Sequence, residues 1–224
     1  MDAKEAAGRH AAEFVTDGMV VGLGTGSTAL HAIRALGERV AKGLSIRGVP
    51  TSEASRRLAT ECGIPVVELG DIPYIDITID GSDEVDPHLC LIKGGGGALL
   101  REKLVASYSR EMIVVVDETK LVACLGAFPL PVAIVPYGFE TTLKRLAIHA
   151  RGLALREVDR RPFVSDDGLY VVDMHTAPIH NPDGLHAALK GILGVVETGL
   201  FIGLATKVVV GHPDGSTEVL TAGT

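Results

Sequence analysis

A run of four glycines, Gly94 to Gly97, follows a lysine and precedes a glutamate that lies one helical turn further on. Lys93 closes an apolar, strand-like segment, and Glu102 stands in the first turns of a predicted helix. Because glycine loses the most backbone freedom on folding, a run of four fits best where backbone approaches a ligand and presents N–H groups. Proton transfer beside a carbonyl needs such a set: a carboxylate as base, and a cation with N–H donors for the oxyanion that forms.

An acidic turn follows a second strand-like segment, in which apolar and polar residues alternate up to Asp80. Gly81 permits a sharp bend there, and Ser82 and Asp83 come next. Carboxylates that lie close together at the carboxyl end of a strand can have separated pKa values, which suit acid and base roles. Asp80 and Asp83 are therefore candidate catalytic residues.

Two further acids, Glu84 and Asp86, complete this turn. A solvated acidic turn explains them best. The spacing does not match the EF-hand calcium loop, but carboxylates alone can hold magnesium, so a magnesium site remains an alternative for the whole turn.

A second glycine-rich turn, "GLGTGST" at residues 22–28, joins a predicted strand to a predicted helix. Its spacing fits neither the dinucleotide fingerprint nor the P-loop. Hydroxyl groups of Thr25, Ser27 and Thr28 open the helix, with Gly26 among them. Since a helix N-terminus carries partial positive charge and free N–H groups, this turn can hold a phosphate. A tight turn with an ordinary N-cap, for which Ser27 or Thr28 would serve, is the alternative.

The elements that must position these groups change character along the chain. Strands alternate with helices in the first half, which predicts a Rossmann-like, mostly parallel α/β sheet with helices on both faces. The first half includes a strand over 64–69, and in the second half a helix from Phe139 is stopped by Gly152. The second half reads as an inserted α+β domain over 128–204, leaving 1–127 and 205–224 for the catalytic α/β domain. The last strand is expected to rejoin the first sheet.

The composition of the chain argues against several kinds of binding partner. The chain has 224 residues, a formal charge of −7, and 4% aromatic residues without tryptophan. Few aromatics and net negative charge argue against nucleic acid as a partner. Three cysteines without a CxxC pair are expected to be free thiols in a reducing compartment. No apolar run is long enough to cross a bilayer, and no signal-peptide pattern stands at the first residues, so we expect a cytoplasmic protein with no membrane partner.

Three segments in order, "GLGTGSTA", "DGSDEVD" and "KGGGGALLREK", with "VDETK" after them, resemble the ribose-5-phosphate isomerase A family. The resemblance covers nearly the whole chain, and the third segment is its most specific part. Two departures are visible, since the family often has alanine where Ser82 stands and serine where Thr119 stands. Neither position is assigned a role in proton transfer.

The resemblance implies interconversion of D-ribose 5-phosphate and D-ribulose 5-phosphate through an enediolate, in the pentose phosphate pathway, without a metal or an organic cofactor. It makes Glu102 the base that moves the proton between C1 and C2. Lys93 and the N–H groups of Gly94 to Gly96 would stabilise the enediolate oxygens. Asp80 and Asp83 would bind sugar hydroxyls and assist ring opening.

The resemblance also implies the groups that bind the substrate and the form in which the enzyme works. The loop from Thr25 to Thr28 is assigned mainly to the phosphate, with the cations of Lys120 and Lys4 as its partners. The remaining substrate-binding candidates are the residues that flank the catalytic ones, Gly81, Ser82, Gly94, Gly95 and Gly96. A homodimer or a dimer of dimers is implied.

Two other function classes stay open from the sequence. A sugar-phosphate sensor on the same fold would need a DNA-binding element, and the first helix is followed at once by a strand, which leaves no room for a helix-turn-helix. A coenzyme A transferase or an amino-sugar phosphate deaminase is the other class, and a transferase would use a glutamate as nucleophile, for which Glu102 is suited.

Overall fold

A computed structural model gives the structure of residues 2–176 and 178–221. In these residues, the α-helices are α1 (Ala3–Glu13), α2 (Ala29–Val40), α3 (Glu53–Glu61), α4 (Leu99–Ser107), α5 (Phe139–Leu146) and α6 (Pro182–Lys190). The strands are β1 (Val20–Leu23), β2 (Arg47–Pro50), β3 (Ile75–Gly81), β4 (Glu84–Val85), β5 (Leu91–Ile92), β6 (Ser109–Asp117), β7 (Leu130–Ile134), β8 (Gly152–Leu155), β9 (Glu157–Val158), β10 (Arg161–Pro162), β11 (Tyr170–His175), β12 (Val195–Thr198), β13 (Leu200–Phe201), β14 (Lys207–Gly211) and β15 (Thr217–Thr221).

The chain divides into two compact units. The first unit comprises Met1–Ser82, Arg101–Leu121 and Gly203–Thr224, and the second comprises Asp83–Leu100 and Val122–Ile202. The domain bounds expected from the sequence, 1–127 with 205–224 and 128–204, stay a prediction, and their outermost residues, 1 and 222–224, lie outside the described residues.

The first unit is built on a six-stranded sheet in the order β15-β14-β6-β3-β1-β2. Every neighbouring pair is parallel except β14 with β15, which is antiparallel. Strands β6 and β14 contain buried β-branched runs, such as the segment of β6 around Val114 and Val115, as expected for strands covered on both faces. Helix α1 packs on β6 and β14, and α2 packs on α1 and α3. The predicted mostly parallel α/β sheet is confirmed, and the last strands do rejoin it.

The second unit contains shorter, antiparallel sheets. Its main sheet has the order β12-β7-β11-β8, and a three-stranded sheet has the order β13-β5-β4. Leu130, Val132 and Ile134 of β7 are fully buried and form the centre of its apolar core together with residues of α5 and α6. In the three-stranded sheet, β4 directly follows Asp83 and β5 directly precedes Lys93.

Two local predictions are wrong. Of the strand expected over 64–69, only Val66 pairs, in a single parallel bridge to Gly48, and the chain then enters a 3-10 turn at Leu69–Asp71. The helix from Phe139 ends at Leu146, well before Gly152, which instead begins β8. Among the described residues, no helix is long and apolar enough to cross a membrane.

Candidate active site

Asp80 joins the first glycine loop to the end of β3. Its Oδ1 accepts a hydrogen bond from the backbone N–H of Thr25 at 3.0 Å and from that of Gly81 at 2.7 Å. The side chain is fully buried, and a Cβ at Gly24 would lie 2.3 Å from the same oxygen. Since only a glycine fits at position 24, the close approach of loop and carboxylate is built into the sequence. The structure thus brings together Asp80, Gly81 and the phosphate-loop candidate Thr25.

The hydroxyl of Thr25 continues this network toward α3. Its Oγ1 lies 2.7 Å from Oγ1 of Thr51 and 2.8 Å from Oγ of Ser52. Ser52 also caps α3 by accepting the N–H of Ser55. No sequence motif marks Thr51 and Ser52 as site residues. Their position directly after β2, which neighbours β1 in the sheet, is the signal that marks them, because ends of adjacent parallel strands meet at one edge.

Lys4 reaches the same loop from α1. Its Nζ donates to Oγ of Ser27 at 3.1 Å, which places the predicted cation beside the predicted phosphate loop. Lys4 also lines a cavity of about 520 Å³ together with Asp117 and Thr119, the residues that precede Lys120 in a 3-10 turn after β6. Thr28 is the N-cap residue of α2 by position, but its hydroxyl makes no capping hydrogen bond.

Two neighbouring charged residues of α4 differ in their exposure to solvent. Arg101 lies at the surface, where its Nη1 donates to Oε1 of Glu53 at 2.9 Å. Glu102, the next residue, is only 4% exposed. A charged outer face therefore explains Arg101 but not Glu102. Because carboxylates are rarely buried without a structural or functional reason, the burial singles out Glu102 as a candidate.

Asp83 holds the second glycine run in the other unit. Its Oδ2 accepts the backbone N–H of Gly95 at 2.8 Å. A Cβ at Gly95 would lie 2.6 Å from Oδ1 of the same carboxylate, so a side chain is excluded there. Gly94 and Gly97 have φ of +103° and +83°, which side chains rarely adopt. Three of the four glycines thus have a conformational or packing reason, and Gly95 and Gly96 are the exposed pair.

Lys93 is held at the base of this run. It is 2% exposed, and its Nζ lies 5.4 Å from the centroid of the buried Phe201 ring. Its backbone N–H donates to the carbonyl of Gly199 at 2.9 Å. An ammonium over an aromatic face gains attraction from the ring quadrupole, and this contact fixes the position of the charge.

The acids after Asp83 differ from the expectation of a solvated turn. Glu84 is buried, and its carboxylate accepts the N–H groups of Gly126 at 2.7 Å and of Phe128 at 2.5 Å. Oδ1 of Asp86 accepts the N–H groups of the two residues that close the turn, His88 and Cys90. Both acids thus serve the local backbone. Within residues 2–176 and 178–221, no three His, Cys, Asp or Glu side chains are grouped as the ligands of a metal ion would be.

A mostly parallel sheet with a buried carboxylate, that of Asp80, hydrogen-bonded to the glycine loop after a neighbouring strand is typical of an α/β enzyme. A family model described as ribose 5-phosphate isomerase A (phosphoriboisomerase A) matches residues 47–215. The chain belongs to that family and is an isomerase; the family's reaction is the interconversion of ribose 5-phosphate and ribulose 5-phosphate.

Relatives of known name cover almost the entire chain. The ribose-5-phosphate isomerase A of Bacillus mycoides is 49% identical over 219 residues, which is 97% of this chain and 99% of the relative. That of Parvibaculum lavamentivorans is 50% identical over 228 residues, covering 99% and 98%.

Solved structures agree with this assignment. The ribose 5-phosphate isomerase A of Methanocaldococcus jannaschii matches with a TM-score of 0.93 and 38% identity, over 98% of each chain. A D-ribose-5-phosphate isomerase in complex with phospho-erythronic acid matches with a TM-score of 0.94 and 38% identity, over 98% of this chain and 97% of the other. The predicted isomerase family is confirmed, and the sensor and transferase alternatives are set aside.

Proposed function

We propose that this chain isomerises D-ribose 5-phosphate through an enediolate, with Glu102 as the single base. In the forward direction the carboxylate takes the proton from C2 of the open-chain aldose, the electron pair forms the C1–C2 double bond, and negative charge develops on O1. The same carboxylate then returns the proton to C1, while the hydroxyl proton of O2 passes to O1 and leaves the C2 ketone. No hydride carrier is needed, because oxidation at C2 and reduction at C1 balance within one molecule.

The burial of Glu102 is the observation that carries this proposal. A carboxyl that is 4% exposed has lost most of its hydration, and buried carboxyls of this kind are concentrated at functional sites. Exclusion of water also strengthens the interactions of a charged base with a bound sugar.

The other catalytic roles follow from the contacts within each unit. Lys93, buried over Phe201, supplies the positive charge for the enediolate oxygens, together with backbone N–H groups of Gly94 to Gly96. The N–H of Gly95 already donates to Asp83, so the N–H of Gly96 is the main donor of the glycine run to the enediolate oxygens. Asp80 and Asp83 bind sugar hydroxyls and assist ring opening.

The phosphate is assigned to the loop of Thr25, Gly26, Ser27 and Thr28. The hydrogen bond from Lys4 to Ser27 supports this role, since it brings an ammonium to the start of α2. Lys120 is the second cation; it follows Thr119, which lines the same cavity as Lys4. Gly81 and Ser82 complete the binding residues, because they follow Asp80 directly.

The experiment is the substitution Glu102→Gln, which keeps the shape of the side chain and removes its basicity. We expect the variant to fold and to bind inorganic phosphate as the parent does, and its kcat to fall by about two to four powers of ten. Glu61→Gln, at an exposed position of α3, is the matched control and should keep full activity. A Glu102→Gln enzyme with near-parental kcat would show that the base has been misassigned.

Hydrogen exchange tests the enediolate separately. When the enzyme equilibrates the two sugars in D2O, we expect deuterium to appear at C2 of recovered ribose 5-phosphate, because the carboxylate exchanges its proton with solvent. Repeated turnover without any deuterium at carbon would indicate a direct hydride shift instead.

We also propose a cytoplasmic homo-oligomer. The second unit exposes the large apolar side chains of Tyr137, Ile148 and Leu193, at 94%, 80% and 83% of their surface, and their burial against another copy would remove apolar surface from water. Light scattering during gel filtration should give a dimer or a tetramer, and Leu193→Glu should shift the mass toward the monomer. A monomeric parent protein at micromolar concentration would contradict the proposal. The free thiols Cys62, Cys90 and Cys124 fit a reducing cytoplasm.

A further inference from the structure

An arginine that no sequence motif marks is clamped beside the glycine run. Arg156 lies between β8 and β9, and its Nε donates to Oδ2 of Asp173 on β11 at 2.9 Å. Its Nη2 lies 2.5 Å from Oδ1 of the same carboxylate. Both side chains are mostly buried. A two-point pair of this kind fixes the plane of the guanidinium, which a single contact does not.

The third nitrogen of the guanidinium, Nη1, binds two carbonyl groups of the glycine run. Nη1 of Arg156 lies 3.0 Å from the carbonyl oxygen of Gly94 and 3.0 Å from that of Gly95. In a trans peptide the C=O and the following N–H lie in one plane and point in opposite directions. The guanidinium therefore sets the direction of two N–H groups, those of Gly95 and Gly96, away from itself.

The first of these N–H groups shows the result of this orientation. The N–H of Gly95 is donated to Oδ2 of Asp83 at 2.8 Å. By the same geometry the N–H of Gly96, at an exposed residue, is turned to the side of the loop opposite Arg156.

An aromatic ring supports the loop from the same side. The Arg156 guanidinium lies 5.8 Å from the ring centroid of Phe163, and a Cβ at Gly97 would lie 2.4 Å from that ring. The backbone N–H of Phe163 donates to the carbonyl of Arg156 at 2.8 Å, so the main chains of the two residues are joined directly. Arg156 and the Phe163 ring together restrict the conformation of the glycine run, which has high backbone freedom of its own.

We propose that Arg156 is a positioning residue for the isomerisation: it holds two glycine peptide planes so that the Gly96 N–H meets the enediolate oxygen and the Gly95 N–H orients Asp83. The inference rests on the proposed function. Its physical basis is preorganisation, because donors that are already directed at the developing charge need no rearrangement when the charge forms. The effect should therefore appear in kcat more than in KM.

The test compares Arg156→Met and Arg156→Lys with the parent enzyme. Arg156→Met removes both carbonyl contacts, and we expect kcat to fall by about ten-fold to a hundred-fold while KM changes by less than about three-fold. Arg156→Lys keeps the charge but cannot bind Asp173 and both carbonyls in one plane, so its kcat should lie between the other two. Lys190→Met, which breaks the pair of Lys190 with Glu197 in the same unit, is the matched control and should keep the parental kcat.

A binding measurement separates positioning from general loosening. Phospho-erythronic acid has a phosphate and, at its other end, a carboxylate whose negative charge is shared by two oxygens. Inorganic phosphate lacks the carboxylate. We expect Arg156→Met to weaken inhibition by phospho-erythronic acid about ten-fold or more and to leave inhibition by inorganic phosphate unchanged. Equal weakening of both ligands, or a parental kcat in Arg156→Met, would overturn the proposal. If Arg156→Met does not fold, the same measurements are made on Arg156→Lys. Parental kcat and parental inhibition by phospho-erythronic acid in that variant would overturn the proposal.

The two proposals fail in different ways. A fully active Glu102→Gln enzyme would remove the assigned base, whatever Arg156 does. An inactive Glu102→Gln enzyme together with a fully active Arg156→Met enzyme would remove only the role of Arg156.

Discussion

Oδ1 of Asp80 lies 3.0 Å from the backbone nitrogen of Thr25, so the last residues of β3 and the loop after β1 share one hydrogen-bonded oxygen. The two strands are neighbours in the parallel sheet. Ligands of open α/β sheets bind outside the carboxyl ends of such strands. The Asp80 carboxylate therefore lies at the edge of the sheet where ligands of such folds bind. It also holds, through the N–H of Thr25, the loop that we assign to the phosphate.

Gly24→Ala should disrupt this contact. The new Cβ would lie 2.3 Å from Oδ1 and 2.5 Å from Cα of Asp80, so the loop must move. We expect a loss of about 1–3 kcal/mol in the free energy of unfolding, measured with urea, and a higher KM. Gly70→Ala is the control, because nothing lies within 4 Å of its Cβ, and it should be neutral or slightly stabilising. Equal stability of the two variants would contradict the packing argument.

Lys93→Ala should reduce turnover more than affinity. If the buried ammonium acts on charge that develops during the reaction, its removal lowers kcat by about two to three powers of ten and changes KM far less. Steady-state kinetics in both directions measure this split, with the exposed Lys42→Ala as a control for the loss of a charge. A change confined to KM would assign Lys93 to ground-state binding instead.

His212 should make stability depend on pH. Its Nδ1 lies 2.9 Å from Oε2 of Glu118, and this hydrogen bond, with the charge of Glu218 nearby, raises the pKa of His212 above its ordinary 6.5. Because the folded state favours the protonated ring, the stabilisation is complete below the ordinary pKa and is lost as pH rises through the raised one.

The comparison of His212→Gln with the parent protein measures this effect. Urea denaturation should show the parent to be more stable at about pH 6, and the difference should vanish by about pH 9. Glu118→Gln removes the negative charge of the acceptor but leaves that of Glu218, so in that background the stability difference at about pH 6 should be smaller. A difference that grows toward high pH would have the wrong sign for this mechanism.

Cys90 should resist alkylation. Burial, with a smaller effect from the charge of Asp86, raises the pKa of its thiol to about 11. At about pH 8 the reactive thiolate fraction is then about a hundred-fold below that of an ordinary cysteine. Mass spectrometry after iodoacetamide treatment should find Cys90 labelled far more slowly in the native protein than in urea. Similar rates in both states would show that the thiol is not buried in solution.

Local pattern was sufficient for much of the fold. The alternation of β3 depends on neighbours in sequence, and this strand occurs where it was expected, before the acidic turn. The strand over 64–69 failed because only Val66 lies beside an edge strand, at Gly48, before the chain turns away. An apolar run alone does not say whether a sheet edge is within reach.

The candidate site shows the same division. The glycine run and the acidic turn are local motifs, and the sequence identified them. Glu84 appeared solvated, yet its partners Gly126 and Phe128 lie more than forty residues away in the chain and bury it. Arg156 is about sixty residues from the carbonyls that it holds. Contacts that are this distant in sequence depend on tertiary structure, which no short window of residues records.

The packing of α1 on β14 has a consequence for synthesis on the ribosome. A Cβ at Gly211 would meet the carbonyl of Ala3, so the helix and the strand lie backbone to backbone at this point. Helix α1 leaves the exit tunnel long before β14, and translation is slow relative to the formation of a single helix. The nascent first unit therefore carries Lys4, one of its proposed phosphate ligands, on a helix that lacks part of its final support until Gly211 has been made.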